Sequence, residues 1–250
     1  LTVMAYLAAR TERIRIGVGV LVVPHRNPVV TAKQLATIDA LSKGRLIVGV
    51  GVGWMAEEFA TLHTPPFKER GKVTDEYLEI FRKLWTGEPV RHDGAYYQFE
   101  EIQSNPKPAN PEGIPIWVGG YSKPAFRRVG RYGNGWHGMN FGADTVGGAI
   151  AEVRRAAEGA GRSPDDLTIS VLMNVDSSGT PLAANPLAAT ESGRLLMGTV
   201  EEKIDQIRAF QRAGVDTLQV AFSARDLDTY LREMENFAQN VMPQVHERQS

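Results

Sequence analysis

Strand-like apolar runs alternate with amphipathic helical segments along almost the whole chain, and this alternation limits the possible folds more than any other feature. Arg13 to Val23 reads as a first strand. Pro28 stands where a helix can open, and Val30, Leu35, Ile38 and Leu41 give it an apolar face up to a C-terminal cap at Gly44. Arg45 to Trp54 is the second strand with its exit loop, and Lys72 to Thr86 a second long helix. Ile114 to Gly120, Gly135 to Phe141, Leu167 to Val175 and Thr217 to Ser223 continue the strands. Helices are expected after Ser122, over 145–160, after Thr199 and over 227–241. Strand, helix, strand in this order predicts parallel strands joined by right-handed crossovers.

Two architectures satisfy that pattern: an open doubly wound sheet and a barrel. An open sheet usually carries one dominant phosphate loop at its switch point. Here glycine-rich or polar clusters follow several strands in succession, as expected where many strand ends face one pocket, so the barrel is preferred. The 250 residues are expected to form a single domain. Residues 87–115 interrupt the alternation with an excursion in which Asp93-Gly94 suggests a hairpin turn. Residues 176–198, rich in small and turn-forming types, read as a mobile loop. Thr199 with Glu202 three residues on has the form of a capping box.

Charge and composition remove several function classes. A formal net charge of −1 gives no global attraction to nucleic acid or to an acidic membrane. Cysteine is absent, so disulfides, thiolate metal sites and cysteine nucleophiles are excluded, which fits a cytoplasmic protein. No apolar run approaches the ~18 residues of a membrane span. The opening LTVMAYLAAR is too short, and lacks the basic leader, for a signal peptide. Its apolar residues fall at helical spacing, so the chain is expected to begin inside a helix of a longer protein.

The candidates for chemistry cluster at strand ends. Gly49, Gly51 and Gly53 alternate in GVGVG, without the spacing of a nucleotide fingerprint or a following P-loop lysine. They either pack tightly against a neighbouring strand or let a flat ring lie against the strand ends, with Trp54 and Met55 as an apolar wall. Gly119-Gly120-Tyr121-Ser122 ends a strand before a helix. Its amides and the Ser122 hydroxyl either bind a phosphate or form a plain turn with Ser122 as cap. His25, Arg26 and Asn27 follow the first strand, with His25 a candidate substrate contact. Asn140, near the end of the Gly135–Phe141 strand, is a candidate phosphate donor.

RIRIGVGVLVVPHRNPVVTAKQLATIDALSKGRLIVGVGVGW, FKERGKVTDEYLEIFRKLWTGEPVRHDGAYYQFEEIQSNPKP and IPIWVGGYSKPAFRRVGRYGNGWHG, taken in order, resemble the bacterial luciferase-like monooxygenase superfamily. Within it the chain is most similar to oxidoreductases that use the deazaflavin coenzyme F420. The resemblance covers nearly the whole chain. It implies a TIM (β/α)8 barrel whose first two strands would precede residue 1, taking with them the principal acid or base. It also implies a bulge with a cis peptide at Gly19–Val20 that backs the cofactor ring. Gly53 and Trp54 would lie beside the ring, and Gly119, Gly120, Tyr121, Ser122 and Asn140 near the phosphate. A small-molecule substrate, a homodimer and no metal are further implications. Trp54 stands where sugar-phosphate dehydrogenases of the family carry a catalytic glutamate, so a small apolar or carbonyl-containing substrate is expected instead. FMN as cofactor of a monooxygenase, and a non-catalytic flavin-binding protein, are the alternatives.

Overall fold

A computed structural model describes residues 1–87, 89–184, 194–224 and 226–245. They gather into two compact units, Leu1–Gly135 and Trp136–Ser250.

The first unit opens with α1 (Thr2–Arg10), followed by β1 (Ile16–Val22), α2 (Pro28–Ser42) and β2 (Leu46–Gly51). Asn27 starts α2 by accepting the Val30 amide on its side chain at 3.1 Å, and Pro28 fills the first helical position, where no N–H is needed. The helix ends one residue earlier than expected: Lys43 is already left-handed at φ 59°, and Gly44 continues the turn at φ 79°. Asp39, buried on α2, accepts the amides of Leu46 at 3.3 Å and Ala109 at 2.9 Å, pinning helix, strand and a later connector together. Arg45 closes the other end of the unit by donating to the carbonyls of Ala8, Thr11 and Ile14.

Every residue of β2 is buried, because it lies between β1 and β5 (Ile116–Gly119), both parallel to it. The β1–β2 register is Gly17↔Ile47 and Val18↔Val48, then Leu21↔Val50. Two residues, Gly19 and Val20, therefore stand against the single Gly49, which is a bulge. The peptide joining Gly19 to Val20 is cis, at the position the resemblance implies.

The rest of this unit is α3 (Ala56–Thr61), α4 (Arg70–Thr86), the antiparallel pair β3 (Val90–Asp93) and β4 (Gln98–Ile102), and α5 (Lys123–Tyr132). Tyr77, Leu78, Phe81, Leu84 and Trp85 form the buried face of α4, and the Trp85 indole donates to the Ala32 carbonyl of α2 at 3.0 Å. The β3–β4 turn is wider than Asp93-Gly94 suggested, spanning residues 94–97. The Glu76 carboxylate explains it, because it accepts the amides of Ala95, Tyr96 and Tyr97 and holds the turn open against α4. Arg128 of α5 is buried and donates to Asp75 of α4 at 2.6 Å and to the Gly71 carbonyl at 3.0 Å.

The second unit carries β6 (Gly135–Met139), α6 (Val146–Gly159), β7 (Thr168–Val175), β8 (Leu195–Leu196), α7 (Val200–Arg212), β9 (Thr217–Phe222), α8 (Leu227–Asn240) and α9 (Met242–Val245). β7 pairs in parallel with β8 and with β9. The capping box is formed: Thr199 accepts the Glu202 amide at 3.3 Å, and Glu202 accepts the Thr199 amide at 2.8 Å. Of the expected loop at 176–198, residues 185–193 lie outside the described residues. The described remainder includes a short 3₁₀ turn at Leu182–Ala184, and also β8, a strand that the composition did not suggest.

Candidate functional site

Parallel pairing decides which loops meet. The pairs Val22↔Gly51 and Val50↔Val118 place the carboxyl ends of β1, β2 and β5 side by side at one edge. The segments leaving that edge hold His25-Arg26-Asn27, Gly53-Trp54 and Gly120-Tyr121-Ser122. Every sequence-predicted site residue except Asn140 thus belongs to these three strands or their exits.

The glycines of β2 are filled from β1. A Cβ on Gly49 would lie 2.0 Å from the Val18 carbonyl oxygen, and one on Gly51 would lie 2.6 Å from the Val20 side chain. Of the two readings left open for GVGVG, tight packing holds at these two positions. The exposed, side-chain-free positions are instead Gly17 and Gly19 on β1 itself, next to the half-buried Val18 and Val20.

Gly53 is pinned from three directions. Its φ is +81°, and a Cβ there would meet Phe59 at 2.8 Å and Val22 at 2.9 Å. Its carbonyl accepts from Arg70 Nε at 3.2 Å. Arg70 also lies 4.0 Å over the Phe67 ring and donates to the Phe67 carbonyl. Phe67 packs edge-on against Phe59 at 5.2 Å, and Phe59 against His25 at 4.5 Å. A continuous stack thus joins the exits of β1 and β2. Nothing in the local sequence marks Phe59, Phe67 or Arg70 for this role; only the three-dimensional packing reveals it. Trp54, directly after Gly53, is 79% exposed.

His25 closes the short 3₁₀ turn Val23–His25. Its Nε2 is buried without a partner among the described residues. Burial lowers its pKa, with Arg26 adding to the effect and Glu58 opposing it, so the neutral imidazole is favoured. Asn27 caps α2 and donates to the Tyr97 hydroxyl at 2.7 Å, which ties the β1 exit to the hairpin turn.

At the β5 exit Gly120 has φ +113°, and a Cβ there would sit 3.1 Å from the Ala125 side chain. Tyr121 is 66% exposed. Ser122 accepts the Ala125 amide at 3.4 Å and caps α5, so the turn-and-cap reading describes its hydroxyl in this structure. Asn140 lies in the second unit, exposed and left-handed at φ 62°, just after β6. On β6, His137 is buried, with Nδ1 3.1 Å from the Ser170 hydroxyl and Nε2 unpartnered among the described residues; burial lowers its pKa. Among the described residues no cluster of potential ligands could hold a metal ion, and no helix is long and apolar enough to cross a membrane.

The family model described as luciferase-like monooxygenase matches residues 1–190. A protein of Mycobacterium tuberculosis with no assigned function is 33% identical over 242 residues, covering 96% of this chain and 76% of its own. The F420-dependent glucose-6-phosphate dehydrogenase of Nocardia farcinica is 37% identical over 185 residues, covering 70% of this chain and 54% of its own. Among solved structures, an F420-dependent secondary alcohol dehydrogenase in complex with an F420-acetone adduct matches with a TM-score of 0.84 at 21% identity, over 98% of this chain and 83% of that one. The oxygenating constituent of 3,6-diketocamphane monooxygenase of Pseudomonas putida, in complex with FMN, matches with a TM-score of 0.80 at 20% identity, over 98% and 83%. The fold is the α/β fold of these luciferase-like barrels.

Proposed function

The chain belongs to the luciferase-like monooxygenase family, and from that membership we propose that it is a coenzyme F420-dependent oxidoreductase exchanging a hydride with a small organic alcohol or carbonyl compound. The names of a glucose-6-phosphate dehydrogenase relative and of an alcohol dehydrogenase neighbour, both F420-dependent, support the cofactor. The observation that carries the reading is the bulge of β1. Gly49 and Gly51 give way to the bulge, and β1, which among the described residues is the edge strand of the sheet, presents Gly17 and Gly19 as exposed positions without side chains. A flat tricyclic ring needs such a surface, so the residues present fit the group.

When bound, the deazaflavin supplies two-electron hydride chemistry. The protein's own residues bind and orient. Gly19 and Val20 would back the ring, with Gly53 and the backbone of Trp54 beside it. The amides of Gly119 to Ser122 would receive the phosphate. His25, kept neutral by burial, is the proposed substrate contact. The test is a fluorescence titration with coenzyme F420 and, in parallel, FMN. Micromolar or tighter F420 binding is expected; tight FMN binding without F420 binding would overturn the cofactor assignment.

A further inference from the structure

Lysine is almost never buried unless it is paired. Lys203 on α7 is 8% exposed, yet its ammonium makes no hydrogen bond or ion pair among the described residues. Three carboxylates act on it through their fields: Asp176, Glu233 and Glu202. Two of these are engaged elsewhere. Glu202 accepts the amides of Thr199 and Leu182, and Asp176 accepts the amide and the hydroxyl of Ser178. The third, Glu233 on α8, has its Oε2 buried without a partner among the described residues. Burial pulls the Lys203 pKa down by more than the three carboxylates raise it, so the cost of burying this charge is not offset inside the chain.

Lys203 and Glu233 line one cavity of about 100 Å³ in the second unit. It lies at the carboxyl ends of β7 and β9, where Val175 pairs with Phe222. Phe222 packs edge-on against Tyr230 and Phe237 of α8, so the cavity is on the side of these strands that faces the helix. Val175, Phe222, Phe237 and Val241 give it an apolar wall. A space of this size holds several waters or one molecule of a few non-hydrogen atoms. An anion there would gain Lys203 but face Glu233, and a cation the reverse. A molecule carrying both charges satisfies both groups, through charge-assisted hydrogen bonds about twice as strong as neutral ones. We propose that this cavity is a binding site for a small aliphatic amino acid, with its carboxylate on Lys203, its ammonium on Glu233 and its side chain against the apolar wall. The site uses none of the residues assigned to the cofactor, so it stands or falls separately from the oxidoreductase reading.

The test titrates the full chain with L-alanine, read by saturation-transfer NMR and by the shift in melting temperature. Propionate and ethylammonium, which each keep one of the two charges, are the controls. L-Alanine is expected to bind with a dissociation constant of about 1 mM or tighter, and each control at least about tenfold more weakly. Glu233→Gln keeps the shape of its side chain and loses the charge, and Lys203→Met keeps an apolar stem. Each is expected to weaken L-alanine binding about tenfold. Removal of an unpaired buried charge should leave both variants folded, melting no lower than wild type. Absence of L-alanine binding up to about 50 mM would mean that water fills the cavity, and overturns the proposal. Propionate binding as tightly as L-alanine also overturns it, because the cavity would then be a plain anion site. So does unchanged affinity in both variants, which would put the amino acid elsewhere on the protein.

Discussion

The Val18 carbonyl oxygen occupies the space that a side chain on Gly49 would need, 2.0 Å from where its Cβ would stand. A backbone atom cannot step aside as the tip of a flexible side chain can. Gly49 is therefore the residue that allows β1 to bulge.

Gly49→Ala is expected to cost about 2–3 kcal/mol of stability and to weaken cofactor binding with it, because strand and bulge must separate. Gly17→Ala is the control. Its Cβ would find the Ile47 carbonyl at an ordinary 3.5 Å, so stability should change by less than about 1 kcal/mol. If the exposed strip holds the ring, Gly17→Ala should nonetheless weaken cofactor binding. Urea unfolding and fluorescence titration of the two variants separate these effects. Equal stability of both would disprove the packing role of Gly49.

Arg70→Met should lower stability by about 1–2 kcal/mol through loss of the bond to the Gly53 carbonyl and of the contact over Phe67. The β2 exit should also loosen. Amide hydrogen exchange at residues 52–56 is the readout, and faster exchange there than in α2 is the expected result.

Arg128→Ala leaves Asp75 without its 2.6 Å partner and the Gly71 carbonyl without a donor. The Arg128 side chain is 4% exposed and that of Asp75 30%, so this is a mostly buried pair. Breaking it from one side is expected to cost about 3 kcal/mol. Arg128→Ala with Asp75→Ala should recover part of the loss, and denaturant midpoints of the two single variants and the double variant measure how much.

Acid should destabilise the fold in a defined window. Burial holds the pKa of His137 below its ordinary 6.5, and that of His25 likewise. Above pH 6.5 both imidazoles are neutral folded or unfolded, and their contribution is complete. As pH falls through 6.5 the unfolded chain takes up the proton first, so stability is lost until the folded value is reached. The slope is at most ~1.4 kcal/mol per pH unit for each group. Urea midpoints at pH 8 and pH 5.5 should differ more in wild type than in His137→Asn. Equal differences would remove His137 from the account.

What the sequence disclosed was mostly local. Thr199 and Glu202 sit three residues apart, and both halves of their capping box form. The alternation of strands and helices, and the cap at the head of α2, depend on neighbours in the chain in the same way. The hairpin turn was legible as a turn, but its width was not, because Glu76, on another element, sets it. The glycines at 49 and 51 were visible as an oddity whose cause lies across the sheet, in Val18 and Val20. The stack from Arg70 through Phe67 and Phe59 to His25 draws on three separate segments and leaves no periodic trace.

The two-against-one pairing at Gly19 and Val20 also sets a reading frame for β1. Val18 and Leu21 are partnered with Val48 and Val50, two positions on the same face of β2, so the apolar rhythm of β1 changes from even to odd numbers at that point. The number of residues there, two against one, is what makes the bulge. Losing one of the two would leave Leu21 opposite Val50 with its side chain still inward, but in a plain ladder: the segment behind it would keep its interior side, and only the extra residue that presses on Gly49 would be gone.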